Sequence, residues 1–412
     1  MINIAILGFG VVGGGVADVL TQNAETIAHK TGGHIHIKYI LDLRDFPDHP
    51  LGDRVIHDFS IILNDPEITV VAEMMGGAHP AYDYSLAALK AGKHVVTSNK
   101  EVVATFGAEL LSEARKNDVR YLFEASVGGG IPVIRPISSC LAANEIFEVD
   151  GILNGTTNYI LTQMVSYGKT FEDALSEAQE KGYAERNPAA DIEGLDAQRK
   201  IRILSALSFG RLFSEAAVHT EGITALTEAD VKAAEAYGGV IKLLGRTGLL
   251  DPNDPASDAF MLVAPHVVMH DSPLSGVQDV FNAVMVRGNA VGDVMFYGRG
   301  AGNYPTASAV VADIIDILEH KGAPVYTPDW ICADDDALIK ADTLPYAFLV
   351  RLNVTNRATA EKALLEVYPD GMILPETDDG ALAFVTSVTT EKDCRADLAS
   401  IGTIVSLLRI LP

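Results

Sequence analysis

Ile2-Asn-Ile-Ala-Ile-Leu7, followed at once by Gly8-Phe9-Gly10-Val11-Val12-Gly13, decides the fold of this chain. Five of the first six residues are apolar, as in a short strand buried on both faces. Beyond the glycines, Val16, Val19, Leu20 and Ile27 recur at helical spacing. A strand, a G-x-G-x-x-G turn and a helix in that order form a dinucleotide-binding fingerprint. Gly8 permits the tight turn. Gly10 lets the backbone approach a pyrophosphate, and Gly13 lets the helix pack close to the strand. Amides at the helix N-terminus attract the phosphates. Gly8, Phe9, Gly10, Val11, Val12 and Gly13 are therefore expected at the cofactor.

Working outward, residues 34–41 read as a second strand ending at Asp42-Leu43-Arg44. An acid there accepts from the ribose hydroxyls of NAD, whereas an arginine accommodates the extra phosphate of NADP. Both are present, so either cofactor is open, and Asp42 tilts the reading toward NAD. Strand-like runs at 69–74, 94–97 and 121–123 alternate with helical stretches at 82–90 and 109–116. That alternation predicts an α/β fold with a doubly wound parallel sheet. Ligands bind at the carboxyl ends of such strands. Those ends carry Gly76-Gly77, Ser98-Asn99-Lys100 and Glu124–Ile131. Gly76, Gly77, Ser98, Asn99 and Lys100 join the cofactor candidates, and Lys100 is also a catalytic candidate.

The pattern changes after Pro132. Residues 145–152 read as a strand leading into Asn154-Gly155-Thr156-Thr157-Asn158, with a helix from Tyr159. Hydroxyls and amides at a helix start suit a carboxylate ligand, or simply cap the helix. Further on, Gly182 to Lys200 packs acids into a stretch broken by Pro188 and Gly194. Asp196 and Lys200 lie on one face of a helix, one turn apart. At a surface this is a solvated ion pair. Here an apolar helix surrounds it (Ile201, Ile203, Leu204, Leu207), and Glu185 and Asp191 stand upstream. Such acids suit a small cationic substrate while Lys200 acts on a polar carbon–oxygen bond. A second glycine-rich loop, Gly298–Gly302, precedes a helical pattern, so the chain is expected to return to the cofactor domain with Gly302 near the dinucleotide.

With 412 residues, two or three domains are expected. Acidic residues outnumber basic ones 55 to 31, a net charge of −24 with no long basic run. Nucleic-acid partners and anionic membrane surfaces are therefore not expected. Cys140, Cys332 and Cys394 form no framework and suit a reducing, cytoplasmic compartment. Cys140 reads as a small buried side chain. Met1 runs straight into a strand, so no signal peptide is expected. No apolar run is long enough to span a bilayer.

These motifs together resemble the homoserine dehydrogenases. The carriers are Gly8–Gly13, Ser98–Lys100, Glu124–Pro132, Gly151–Asn158, Gly182–Lys200 and Gly298–Asp313. The resemblance implies a Rossmann-type dinucleotide-binding domain (1–131), an α+β catalytic and dimerisation domain (132–300) and a helix (301–322) returning to the first domain. It implies reversible hydride transfer between L-homoserine and L-aspartate 4-semialdehyde with NAD or NADP. Lys100 and Lys200 match the catalytic lysines, and Asp196 the acid that holds the reacting oxygen and its lysine. Glu185 matches the acid for the substrate α-ammonium, with Asp191 its partner near the catalytic lysine, and Asn154, Gly155, Thr156 and Thr157 fall at the substrate. Backbone oxygens of Glu124, Val127, Gly129 and Ile131 match a sodium loop. The family sheet implies a homodimer or higher homo-oligomer. Leu41 stands where many relatives carry an arginine before the acid.

Residues 344–412 read as a βαβαβ pattern resembling a separable ACT-like regulatory domain, joined through a polar connection at 323–343. Its first turn, 353–359, lacks the glycine that amino-acid-binding ACT domains usually carry. Two other readings compete with a homoserine dehydrogenase. One is an aldehyde dehydrogenase using a cysteine nucleophile, for which Cys140 is the candidate. The other is a nucleotide- and amino-acid-sensing regulator on the same fold, which need not keep Lys100, Asp196 and Lys200 together.

Overall fold

The computed structural model describes residues 2–320, 322, 328–376 and 379–412. Part of the expected connection at 323–343 lies outside them. By compactness the chain divides into two units. The first comprises Met1–Glu145, Arg202–Ser214 and Phe296–Ala333; the second comprises Ile146–Ile201, Glu215–Met295 and Asp334–Pro412.

The first unit begins with β1 (Ile2–Leu7), α1 (Val11–Gln22), α2 (Ala24–Thr31) and β2 (Ile35–Leu41). It continues through β3 (Val55–Ile56), α3 (Phe59–Asn64), β4 (Ile68–Glu73) and α4 (Ala81–Lys90), then β5 (His94–Thr97), α5 (Lys100–Lys116) and β6 (Tyr121–Leu122). The six strands form one parallel sheet in the order β3-β2-β1-β4-β5-β6. Ile4, Ala5, Ile6 and Leu7 are all fully buried, which is why β1 reads as a continuous apolar run. The helix Asn303–Glu319 packs its apolar face (Ala307, Val310, Val311, Ile314) into the same core as Ile4, Ile6 and Val16. A Cβ on Gly15 would lie 1.9 Å from the Asn303 Oδ1 and 3.1 Å from the Ala307 Cβ, so this helix crosses α1 closely. The short β3 and α3 carry too little periodicity to be read in advance. The fifth helix begins at Lys100 rather than near 109, because Asn99 caps it by accepting from the Val102 amide at 3.2 Å.

The second unit is built on a mixed sheet. Its central strands are β7 (Ile146–Ile152), Gly239–Leu249 and Ala259–Met269, with Phe281–Gly288 and Gly292–Arg299 completing one side. After β7 come α6 (Gly155–Tyr167), α7 (Phe171–Glu180), the short α8 (Ala189–Ile192) and α9 (Leu195–Phe209). Helix α6 starts four residues before the expected Tyr159, because Asn154 serves as its cap.

The C-terminal residues continue this sheet. Thr403–Ile410 pairs in parallel with Ala259–Met269, His266 opposite Arg409. Phe348–Asn353, Leu382–Val385 and Met372–Ile373 follow in that order. With helices Arg357–Val367 and Glu391–Leu398 this is a βαββαβ arrangement of the ferredoxin-like kind. The extra strand, Met372–Ile373, is too short to signal itself. Leu262 and Ala264 share one core with Phe348, Val350, Leu364 and Leu398. Buried Arg351 pairs with Asp230 at 2.6 Å, and buried Arg409 with Glu221 at 2.8 Å. Residues 344–412 thus lie within the second unit and form no compact unit of their own.

Candidate active site

In the first unit the chain runs from β1 to β2 on one side and crosses to β4 on the other. The crevice outside such a reversal is where open α/β sheets bind ligands. A cleft of about 490 Å³ lies there, lined by Gly8, Gly10, Asp42, Arg44 and Gly76 among the expected residues. Sequence reasoning missed His57 and Tyr84 in its wall, since neither belongs to a motif.

The glycine turn has the geometry its pattern requires. Gly8 sits at φ +86°, and a Cβ there would meet the Met74 carbonyl oxygen at 2.9 Å. A Cβ on Gly13 would lie 2.0 Å from the Gly8 carbonyl oxygen, so helix and strand touch backbone to backbone. At Gly10, the cap of α1, a Cβ would meet nothing within 4 Å. The helix N-terminus therefore faces open space where a phosphate fits. Val11 beside it is strongly exposed, whereas the ring of Phe9 is buried against Phe46 and His49.

Asp42 closes the turn from β2. Its carboxylate accepts from the Phe9 amide at 2.7 Å and from Arg44 Nε and NH2 at 3.0 Å each. The Arg44 guanidinium, with help from the Phe9 amide, pulls the Asp42 carboxyl down to about 2. Arg44 is largely exposed, its guanidinium 5.1 Å over the Phe46 ring. His57 bonds the Asp42 carbonyl oxygen at 2.7 Å, and that bond with the Asp45 carboxylate raises its pKa. Asn99 donates to the Met75 and Gly77 carbonyl oxygens at 3.2 and 2.8 Å, tying the β4 and β5 turns together. Lys100, half-buried, is the first residue of α5. Gly302 caps the helix Asn303–Glu319 at φ +124°.

The Glu124–Ile131 loop is pinned at both ends. The Glu124 amide donates to Asp313 at 2.9 Å, and the Glu124 carboxylate accepts from the amides of Val133, Ile134 and Arg135. The loop curls so tightly that a Cβ on Gly128 would lie 2.4 Å from the Ile131 carbonyl oxygen, and Gly129 sits at φ +55°. Among the described residues no group of three or more His, Cys, Asp or Glu is arranged to hold a metal ion. Cys140, expected to be buried, is instead exposed. It ends the π-helical turn Pro136–Cys140.

In the second unit the acids and lysine meet. Lys200 Nζ donates to Asp196 Oδ2 at 2.9 Å and to the Leu153 carbonyl oxygen at 2.7 Å. Their side chains are only 9% and 6% exposed, so this is no solvated surface pair. Asn154 is the hub. Its amide nitrogen donates to Asp191 at 2.7 Å and to Asp196 at 2.9 Å, while its oxygen accepts from the Thr157 amide at 2.8 Å. Thr156 donates to the Tyr183 carbonyl oxygen at 2.6 Å, tying α6 to the loop that carries Glu185. Glu185 itself is exposed and stands outside this hydrogen-bonded set. Gly155 lets α6 start close to the Val280 carbonyl oxygen, 2.8 Å from where a Cβ would sit.

A doubly wound nucleotide-binding unit and a buried lysine–carboxylate pair, on one chain, define a nicotinamide-dependent dehydrogenase acting on a CH–OH group. Residues 8–124 match the family description "Homoserine dehydrogenase, NAD binding domain", and residues 132–315 match "Homoserine dehydrogenase". The homoserine dehydrogenase of Pseudomonas aeruginosa is 44% identical over 77% of this chain and 72% of its own length. That of Bacillus subtilis is 39% identical over 90% of this chain and 85% of its own. The crystal structure of a homoserine dehydrogenase from Thiobacillus denitrificans superposes with a TM-score of 0.88 at 35% identity, covering 100% of this chain and 98% of that one. A hyperthermophilic archaeal homoserine dehydrogenase in complex with NADPH superposes at 0.64 and 27% identity, over 77% of this chain and 97% of its own. The chain belongs to the homoserine dehydrogenase family. Its cofactor is NAD or NADP. Among the described residues no helix is long and apolar enough to cross a membrane.

Proposed function

We propose that this chain interconverts L-homoserine and L-aspartate 4-semialdehyde, with Lys200 and Asp196 at the reacting oxygen. The observation that carries this is the Asp196–Lys200 pair, buried and held by Leu153 and Asn154 in a dehydrogenase-family chain. The nicotinamide supplies or accepts the hydride. Lys200 stabilises the charge that grows on the oxygen and exchanges the proton with it. Asp196, fixed by Asn154, holds the ammonium in place. Glu185 contributes charge for the substrate α-ammonium, and Asp191 supports Asn154. Lys100 takes a second part in proton transfer. Asn154, Gly155, Thr156 and Thr157 fall at the substrate, with the Thr156 and Thr157 hydroxyls ordering the start of α6.

Asp42 is the acceptor for the adenosine ribose, which favours NAD; Arg44 can leave it to meet a 2′-phosphate. The tight Glu124–Ile131 loop offers the backbone oxygens of Glu124, Val127, Gly129 and Ile131 to a sodium ion. The strand Gly292–Arg299, with Met295 and Tyr297 exposed, supports a homodimer through this edge. The division into functional domains at 1–131, 132–300, 301–322 and 344–412, with an ACT-like regulatory role for the last and a cytoplasmic location, completes the proposal. Absorbance at the reduced-nicotinamide band, with homoserine and NAD or NADP, tests it. Reduction with homoserine supports the activity; none with either cofactor rejects it in favour of a sensing protein.

A further inference from the structure

Glu73 ends β4 and is completely buried. A carboxylate in a sheet core costs several kcal/mol unless something compensates it, and a valine would pack there without that cost. Its neighbours in register are Leu7 on β1 and Thr97 on β5. One carboxylate oxygen accepts from the Met75 amide at 2.7 Å, the other from the Thr97 hydroxyl at 2.6 Å. Thr97 Oγ1 in turn accepts from the Asn99 amide at 2.9 Å. Asn99 closes the ring, donating to the Met75 and Gly77 carbonyl oxygens and capping α5 at Val102. One buried carboxylate thus fixes two adjacent strand-end turns. The first carries Met75 and Gly76 in the cofactor cleft, and the second carries Lys100.

We propose that Glu73 is a positioning residue for the dehydrogenase reaction, holding the β4 and β5 turns in register so that Lys100 is set correctly against the cofactor crevice. This rests on the reading of Lys100 as a proton-transfer group. As a carboxylate, Glu73 accepts at both oxygens. Once protonated, it presents a donor: either its bond with Thr97 reverses and the Thr97 hydroxyl hydrogen loses its acceptor, or the Met75 amide loses its acceptor. Burial pushes its pKa up to about 7, although Thr97, Met75 and Asn99 each pull it down. Tyr121 on β6 is the titratable group facing it; burial first, and the Glu73 charge second, raise that phenol well above its ordinary range. The ring is therefore intact above neutrality and weakened as pH falls through about 7.

The test uses the full chain carrying E73Q, which imitates the protonated group. A displaced catalytic group costs on the order of 10²-fold in rate. E73Q should lower kcat by about 10- to 100-fold, with homoserine KM, dinucleotide Kd from nicotinamide fluorescence and melting temperature close to those of the parent. The parent's kcat should decline below neutrality, and E73Q should be flat there. T97V, which keeps the carboxylate but breaks the relay, should give a similar loss, and the double variant no more than either, because the groups act as a unit. Parent-like kcat and pH profile in E73Q would overturn the proposal. So would a kcat loss matched by lost dinucleotide binding and melting temperature, which marks a merely structural group. In a K100A background E73Q should add nothing. If K100A itself turns over normally, the role of Lys100 falls, and with it the positioning argument; if K100A is impaired and E73Q is not, the Glu73 proposal alone falls.

Discussion

Lys200→Met separates catalysis from stability at the second unit's site. The ammonium makes two buried hydrogen bonds, to Asp196 and to the Leu153 carbonyl oxygen. Removing it takes the Lys200 cation from the buried Asp196 carboxylate. Breaking a buried pair in this way costs about 3–5 kcal/mol. The lower end applies here, because Asn154 still donates to Asp196 at 2.9 Å and the methionine stem keeps the lysine's packing. About 3 kcal/mol corresponds to a melting-temperature drop of roughly 6–12 °C for a domain of about 150–250 residues. Adding Asp196→Asn removes the stranded charge, so the double variant should regain most of that stability. Turnover should behave differently. Loss of a positioned acid–base group lowers it by about 10²–10⁴-fold, and the double variant should recover none of it. Melting by circular dichroism and initial rates of nicotinamide reduction read the two effects. A K200M enzyme with near-normal turnover would refute the assignment. An unchanged melting temperature would show that the pair is solvated after all.

Gly10→Val should abolish dinucleotide binding, read by nicotinamide fluorescence, while melting stays near the parent's, because a Cβ there meets nothing within 4 Å. Gly13→Ala should instead unfold the first unit, since its Cβ would lie 2.0 Å from the Gly8 carbonyl oxygen. Arg44→Ala should weaken NADP more than NAD in side-by-side kinetics. It should also shift the acid limb of stability: the Asp42 carboxyl is held at about 2 against an ordinary 3.8, so its stabilisation is present above about 4 and fades as pH falls toward 2. Without the guanidinium the native pKa moves back toward the unfolded one, so that acid loss should shrink in titrations followed by circular dichroism. A chain ending at Asp342 should aggregate, as light scattering would show, because it bares the edge of Ala259–Met269 at His266 and Val267 and takes Arg351 and Arg409 from Asp230 and Glu221.

The parallel sheet was legible because its strands are buried on both faces, so Ile4–Leu7 and Val70–Ala72 appear as short unbroken apolar runs. The glycine turn was legible for a different reason: each glycine answers a separate steric demand, and the structure meets the ones expected of Gly8 and Gly13. What sequence could not reveal was contact between distant segments. Nothing local to Gly15 announces Asn303, and nothing in Phe348–Asn353 announces Asp230. The C-terminal pattern therefore read as a separable module, although its last strand pairs with a strand some 140 residues earlier and its arginines are neutralised by acids of that strand's own unit.

The site shows the same limit at closer range. A four-residue spacing put Asp196 and Lys200 on one face but could not decide whether that face was wet. Burial decides it, and burial comes from packing α9 beneath Leu153 and Asn154. Asn154 itself was expected to offer its amide to a substrate carboxylate. Both N–H groups are instead committed to Asp191 and Asp196, and its oxygen to the cap of α6. An asparagine suits that place better than either an aspartate or a threonine. An aspartate would add a third negative charge facing two others, and a threonine offers a single hydroxyl hydrogen for two carboxylates. The residue that looked like a ligand is the one that ties half-buried Asp191 to the buried Asp196–Lys200 pair.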